Sequence, residues 1–302
     1  MTGSLLYSLA DGRRIAYAEW GNREGFPCLF FHGSPGSRLF GKYFDEPARR
    51  ARLRIIAPDR PGFGRSDPVE KYTFLGVAED ALALADGLGL DRFAVVGVSG
   101  GAPYVYAIST VAPERITVGG IISGLAPIDD DETEGRNAKL VTAMRSNSRV
   151  AEVRLRVTSS GLGWAVRVLR RLPTNLRRPI IARFARSLPK ADQEVFARDG
   201  IADIGIEDMG ESMRQGSRAV LQEVAAALRE PWGFDLRDVR VPMLMWHGTK
   251  DQNAMCSTAR RAAGLLPQCD ATYYEGEAHL CFMNHVDEIL EAIARAASGS
   301  QP

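Results

Sequence analysis

A serine set between glycines and a small stock of histidines define the chemistry this chain offers. Ser99 lies in Gly97-Val98-Ser99-Gly100-Gly101, a G-x-S-x-G arrangement. The apolar, β-branched run Phe93-Ala94-Val95-Val96 precedes it and a helix-like stretch follows, so it reads as a sharp strand-to-helix turn. Such a turn holds a non-glycine residue in a costly backbone conformation and lifts its hydroxyl clear of the sheet. The neighbouring glycines let the two chain segments approach, and the following helix N-terminus favours negative charge.

A serine hydroxyl is a weak nucleophile at neutral pH and needs an oriented base. The histidines are His32, His247, His279 and His285. His279, in Glu275-Gly276-Glu277-Ala278-His279-Leu280, falls in the loop between the last strand and the last helix and is the expected base. His247 at a strand end and His32 in a loop read as structural, and His285 as a surface residue of the last helix. A carboxylate must fix the imidazole tautomer, and Asp251, in His247-Gly248-Thr249-Lys250-Asp251, follows the preceding strand. The oxyanion needs two backbone N–H donors. Gly100, next to the nucleophile, supplies one. Ser34, in His32-Gly33-Ser34-Pro35, is placed for the other, with Gly33 as the fallback because Pro35 has no N–H.

The elements that position these residues alternate. Leu5 to Ser8 and Arg14 to Trp20 flank the turn signal Asp11-Gly12 and predict an antiparallel hairpin. Strands are expected at Pro27 to Phe31, Arg54 to Ala57, the run from Phe93 that ends in Gly97-Val98-Ser99-Gly100-Gly101, Ile116 to Ile122, Val241 to His247 and Ala271 to Glu275. Helices are expected at Arg38 to Arg52, Phe74 to Leu88, after Ser99, at Ser257 to Leu266 and at Val286 to Ala297. This alternation predicts an α/β chain with a mostly parallel sheet covered on both faces. Between about Ala126 and Arg229 only helical patterns occur, so residues 1–125 and 241–302 are expected to form one core and 126–240 a helical cap. Ala94 to Pro113 carries no charge over a bilayer-spanning length, but its glycines and Pro103 break it into a strand and a helix of the core.

Composition narrows the partners. With 45% hydrophobic residues, 25% charged residues and a net charge of +1 over 302 residues, nothing global points to nucleic acid or an anionic membrane. Cys28, Cys256, Cys269 and Cys281 lack metal or disulfide spacing and read as reduced thiols, with no metal and a cytoplasmic location expected. No signal peptide is evident at the N-terminus, and no stable membrane insertion is expected. The cap is locally uneven. Asp129 to Glu134 is acidic, whereas Gly135 to Gly200 holds 15 Lys+Arg against 4 Asp+Glu. Solvated faces of amphipathic helices explain that excess. The second reading is a basic lid facing acidic substrates or an anionic membrane surface, with Trp164 to Leu172 its best amphipathic candidate.

These motifs together resemble the α/β-hydrolase superfamily over nearly the whole chain. The resemblance rests on His32-Gly33-Ser34-Pro35-Gly36, Asp59-Arg60-Pro61-Gly62-Phe63-Gly64-Arg65-Ser66-Asp67, Gly97 to Gly101, His247 to Asp251 and Gly276 to His279. It implies an eight-stranded sheet, a cap after the sixth strand, a Ser99–Asp251–His279 triad and no cofactor. Ser99, where haloalkane dehalogenases and epoxide hydrolases have Asp, argues against those branches. Ser34 and Gly100 depart from the proline iminopeptidase pattern. Asn253-Ala254 replaces a frequent Val-Pro, and Ala278 a frequent Gly or His, which bears on loop geometry. The expected activity is serine hydrolysis of a small-molecule carboxylic ester with an apolar acyl group, of the carboxylesterase kind. The alternatives are the same triad on a thioester, lactone, amide or C–C bond, or a non-catalytic ligand-binding protein on this fold.

Overall fold

A computed structural model of the chain describes residues 4–127, 149–228 and 231–299. Asp129 to Glu134 and the part of the basic segment up to residue 148 lie outside these. Eight strands form one sheet in the order β1-β2-β4-β3-β5-β6-β7-β8. The hairpin β1 (Leu5–Ser8) and β2 (Arg14–Gly21) opens it, closed by Gly12 at φ 88° in the expected Asp11-Gly12 turn. β3 (Phe26–Phe31), β4 (Leu53–Pro58), β5 (Phe93–Val98), β6 (Ile116–Ile122), β7 (Met243–Gly248) and β8 (Cys269–Tyr274) pair in parallel, and only β1–β2 and β2–β4 are antiparallel. Every residue of β5 and β6 is buried, as a parallel strand covered by helices on both faces requires.

The covering helices are α1 (Asp45–Arg50), α2 (Phe74–Gly87), α3 (Ala102–Val111), α9 (Cys256–Leu265) and α10 (Phe282–Gly299). One expectation changes. Arg38 to Arg52 is not a continuous helix but a 3-10 segment, Arg38–Phe44, followed by α1. Pro47 cannot donate to the carbonyl four residues back, so an α-helix restarts where the proline falls in its first turn. Between β6 and β7 the described secondary structure is helical: α4 (Arg149–Arg171), α5 (Thr174–Ala185), α6 (Lys190–Phe196), α7 (Ile201–Ser212) and α8 (Arg218–Leu228) form the inserted cap, and a 3-10 turn, Leu236–Asp238, leads into β7. None of the described helices is long and apolar enough to cross a membrane.

The cap docks through buried hydrogen bonds and an ion pair, beside an apolar contact of Phe63 with Met213, Ala219 and Val220. On α7, Asp208 Oδ1 accepts from the N–H (2.8 Å) and hydroxyl (2.6 Å) of Ser37, and Glu211 accepts from Arg38 at 2.9 Å. Arg38 is itself paired with Asp59 at 2.6 Å, which places the cap's acidic side chains on the loops after β3 and β4. The chain leaves β3 for β4 on one side and later returns to β5 on the other. The loops after β3 and β5 therefore meet at the point where strand order reverses, the usual crevice of open α/β sheets.

Candidate active site

Ser99 follows β5 directly and adopts φ 54°, a left-handed conformation that strains a residue with a Cβ. The flanking glycines make that turn buildable. A Cβ on Gly97 would lie 2.5 Å from the carbonyl oxygen of Gly101, and one on Gly101 would collide with the Phe31 carbonyl of β3. The Ser99 carbonyl accepts from Leu125 N–H at 3.0 Å, tying the turn to the loop after β6. A Cβ on Gly100 would sit 3.3 Å from Ser34 N, and one on Gly33 would sit 3.6 Å from Ser99 Cβ. The backbones of Gly100 and Ser34 thus adjoin beside the serine.

Asp251 and His279 come from the loops after β7 and β8. His279 Nδ1 donates to Asp251 Oδ2 at 2.7 Å, leaving Nε2 as the ring's unprotonated nitrogen. Asp251 Oδ1 accepts from the N–H groups of Asn253 (2.8 Å) and Ala254 (3.0 Å). The Ala254 N–H is one that a proline there would lack. Burial alone would raise the Asp251 pKa, but the His279 charge and the histidine hydrogen bonds hold it far below the usual carboxylate range. Burial would likewise lower the His279 pKa, and the charge and hydrogen bond of Asp251, with the charge of Asp192, raise it above 6.5.

Ser99, Gly100, Ser34 and His279 line one cavity of about 630 Å³. The cap supplies much of its apolar wall, including Leu155, Leu162, Met213, Val220 and Val224. The remaining histidines take supporting places. His247 is fully buried, with Nε2 2.8 Å from the Ala254 carbonyl and 3.3 Å from Asp251 Oδ2, so it braces the carboxylate's loop. His32 is buried, bonds Gly33 O at 2.8 Å, and is kept neutral by burial and the nearby Arg60 charge. His285 is half-buried, stacks on Tyr274 at 3.6 Å and pairs with Glu277 at 2.7 Å.

Three contacts in the site go beyond the motifs. Asp192, buried on α6, accepts from Leu280 N–H at 2.8 Å and so links the cap to the His279 loop. Ser123 Oγ, at φ 45° just past β6, donates to the His279 carbonyl at 2.9 Å. Glu223, buried on α8, accepts from the hydroxyls of Ser34 and, at 2.6 Å, Tyr104. Its Oε1 also lies 2.8 Å from Arg60 Nε, and Arg60 donates to the carbonyls of His32 and Gly33. Arg60 stood in a sequence motif, but nothing local marked Glu223 as its partner.

The sequence profile of the alpha/beta hydrolase family matches residues 28–292. The chain belongs to that family. This hydrolase is 26% identical over 288 residues to a non-heme chloroperoxidase of Streptomyces lividans, spanning 91% of this chain and 93% of the relative. A 2-hydroxymuconate semialdehyde hydrolase of Pseudomonas putida is 36% identical over a shorter stretch of 115 residues, 36% of this chain and 39% of that one. Among solved structures, an esterase from Exiguobacterium antarcticum superposes with a TM-score of 0.71 at 19% identity, covering 98% of this chain and 100% of the other. A bromoperoxidase from Bacillus anthracis gives 0.72 at 20% identity with the same coverage. At such identities these structures establish the shared fold.

Proposed function

We propose that this hydrolase cleaves carboxylic esters through an acyl-enzyme on Ser99, with residues 126–240 as the cap that selects the acyl group. The observation that carries the reading is the cavity that Ser99 and His279 share, with Asp251 bonded to the far side of the imidazole. In this mechanism Ser99 Oγ attacks the ester carbonyl while His279 Nε2 takes its proton. The N–H groups of Ser34 and Gly100 hold the oxyanion, and Asp251 stabilises the imidazolium. His279 returns the proton to the leaving alcohol, then activates water to release the acid. The apolar cap wall favours an apolar acyl chain over a charged one.

A fluorophosphonate probe tests the nucleophile, and p-nitrophenyl esters of increasing acyl length test the pocket. Labelling at Ser99, with kcat/KM rising from acetyl towards medium chains, is the expected pattern. Absence of labelling in folded protein would favour the non-catalytic reading. A thioester and a lactone in the same panel separate the alternative bonds. The chloroperoxidase relative favours one further reading, in which hydrogen peroxide takes the place of water at the acyl-enzyme and carries the acyl group away as a peracid. Peracid formed in added peroxide would reveal it.

The pH profile follows from the base. Turnover needs neutral His279, whose pKa is raised, so kcat/KM should rise with pH through a midpoint above 6.5. Asp192 contributes to that elevation. Asp192→Asn keeps an acceptor for Leu280 N–H but removes the charge, so the acid limb should move to lower pH. An unchanged midpoint would show that the cap carboxylate does not act on the base.

A further inference from the structure

Among the described residues, the outward face of the cap is an apolar surface that the proposed catalysis does not use. On α4, Val153, Val157 and Trp164 are 59%, 64% and 70% exposed, and Val168 is exposed beside them. At about 100° per residue these four fall within roughly 60° of one another on the helix. The opposite side of the same helix carries Leu155, Thr158, Ser159 and Leu162, which line the cavity. The helix therefore has an inner face on the pocket and an apolar outer stripe facing solvent. Exposed Arg154 and Arg156 flank the stripe, and exposed Arg171 closes its end, whereas the Arg167 guanidinium turns to the carbonyls of Met213 and Arg214. After the turn at Pro173, α5 repeats the pattern, with Leu176, Ile180 and Phe184 at i, i+4, i+8 all exposed among Arg178, Arg183 and Arg186. From Val153 to Arg186 the sequence holds nine arginines and no Asp or Glu.

We propose that α4, continued by α5, is a docking surface for an anionic lipid bilayer. An apolar stripe with an exposed Trp, bordered by cations, is the composition of a helix that lies in the headgroup region, the rings and valines entering the acyl boundary and the guanidinium groups meeting lipid phosphates. Charge selects this occupant over a second copy of the chain. A symmetric contact would set one arginine-rich α4 against another, whereas an anionic surface supplies the opposite sign. Docking is adsorption of the cap and needs no spanning helix. It brings the wall of the cavity to the lipid surface, so apolar substrates would reach the pocket from the bilayer. The binding claim stands apart from the proposed ester hydrolysis and is read without it.

The experiment is co-sedimentation of the full chain with vesicles of phosphatidylcholine alone or with roughly 30% phosphatidylglycerol. Wild type should bind the anionic vesicles at least about fivefold more than the neutral ones, and raising salt to about 0.5 M should release it. Val157→Glu with Trp164→Glu should reduce binding by about fivefold or more, with unchanged circular dichroism and Tm. As a second readout, Trp164 is the most exposed of the four tryptophans, with Trp20 and Trp246 buried and Trp232 half-buried. Anionic vesicles should blue-shift wild-type fluorescence and leave Trp164→Phe unshifted. Wild type that fails to bind anionic vesicles overturns the proposal, as does a double variant that binds like wild type. A dimer in solution that Trp164→Glu dissolves would also overturn it, assigning the face to a second copy.

Discussion

Replacing Ser99 by alanine is expected to lower kcat by roughly 10⁴–10⁶-fold with little change in Tm. The loss is that large because nucleophile and base act as a unit, so neither His279 nor the oxyanion donors compensate for a missing hydroxyl. Stability should hold because alanine keeps the strained φ of 54° and gives up no hydrogen bond that anchors the turn, since it is the Ser99 carbonyl that Leu125 binds. Ser99→Gly sharpens the test. Glycine adopts that φ without a Cβ clash, a relief of about 1 kcal/mol that offsets its entropic cost. The glycine variant should thus be inactive and at least as stable as wild type by denaturant unfolding. Residual turnover of a p-nitrophenyl ester near the wild-type rate in either variant would end the assignment of Ser99. A clearly destabilised Ser99→Gly would contradict the strained turn.

Removing the Glu223 carboxylate should produce a large loss of stability beside the pocket. Its partner Arg60 has no exposed side-chain surface, and Glu223 only 5%. Burial opposes the Arg60 charge and the Glu223 carboxylate favours it, with the net pKa raised. Glu223→Ala therefore leaves a buried cation without its counter-charge and strips acceptors from the Ser34 and Tyr104 hydroxyls. Breaking one side of a buried pair costs about 3–5 kcal/mol, read as a lower denaturant midpoint. Glu223→Gln, which keeps the volume and one acceptor, should cost less. Because Arg60 and Glu223 together hold the His32–Ser34 loop, kcat should also fall in Glu223→Ala, by about tenfold or more. The bound is the roughly 10²–10³-fold loss on deleting an oxyanion donor outright. A Glu223→Ala variant as stable and as active as wild type would mean the cluster supports neither the loop nor the fold.

The sequence by itself determined the sheet and the order of its elements, and pointed to the three residues proposed as nucleophile, orienting carboxylate and base. These were legible because each rests on local physics. Buried strands read as apolar runs, the turn at Ser99 needs Gly97 and Gly101 within two residues, and His279 and Asp251 each stand just past a strand end. Local reading failed where the chain's geometry was decided by one backbone donor, as at Pro47, which splits the expected helix over Arg38 to Arg52. Tertiary structure alone decided what surrounds the site. Ser34 and Glu223 are 189 residues apart, and Asp192 and Leu280 are 88 apart, so no spacing rule links them. A glutamate among the apolar residues of α8 looks the same in sequence whether it meets water or Arg60. The same holds for α4, whose periodicity defines two faces without saying which one covers the pocket. Only the packing of the cap onto the loops after β3 and β8 turns Leu155 and Ser159 inward and leaves Val157 and Trp164 to solvent.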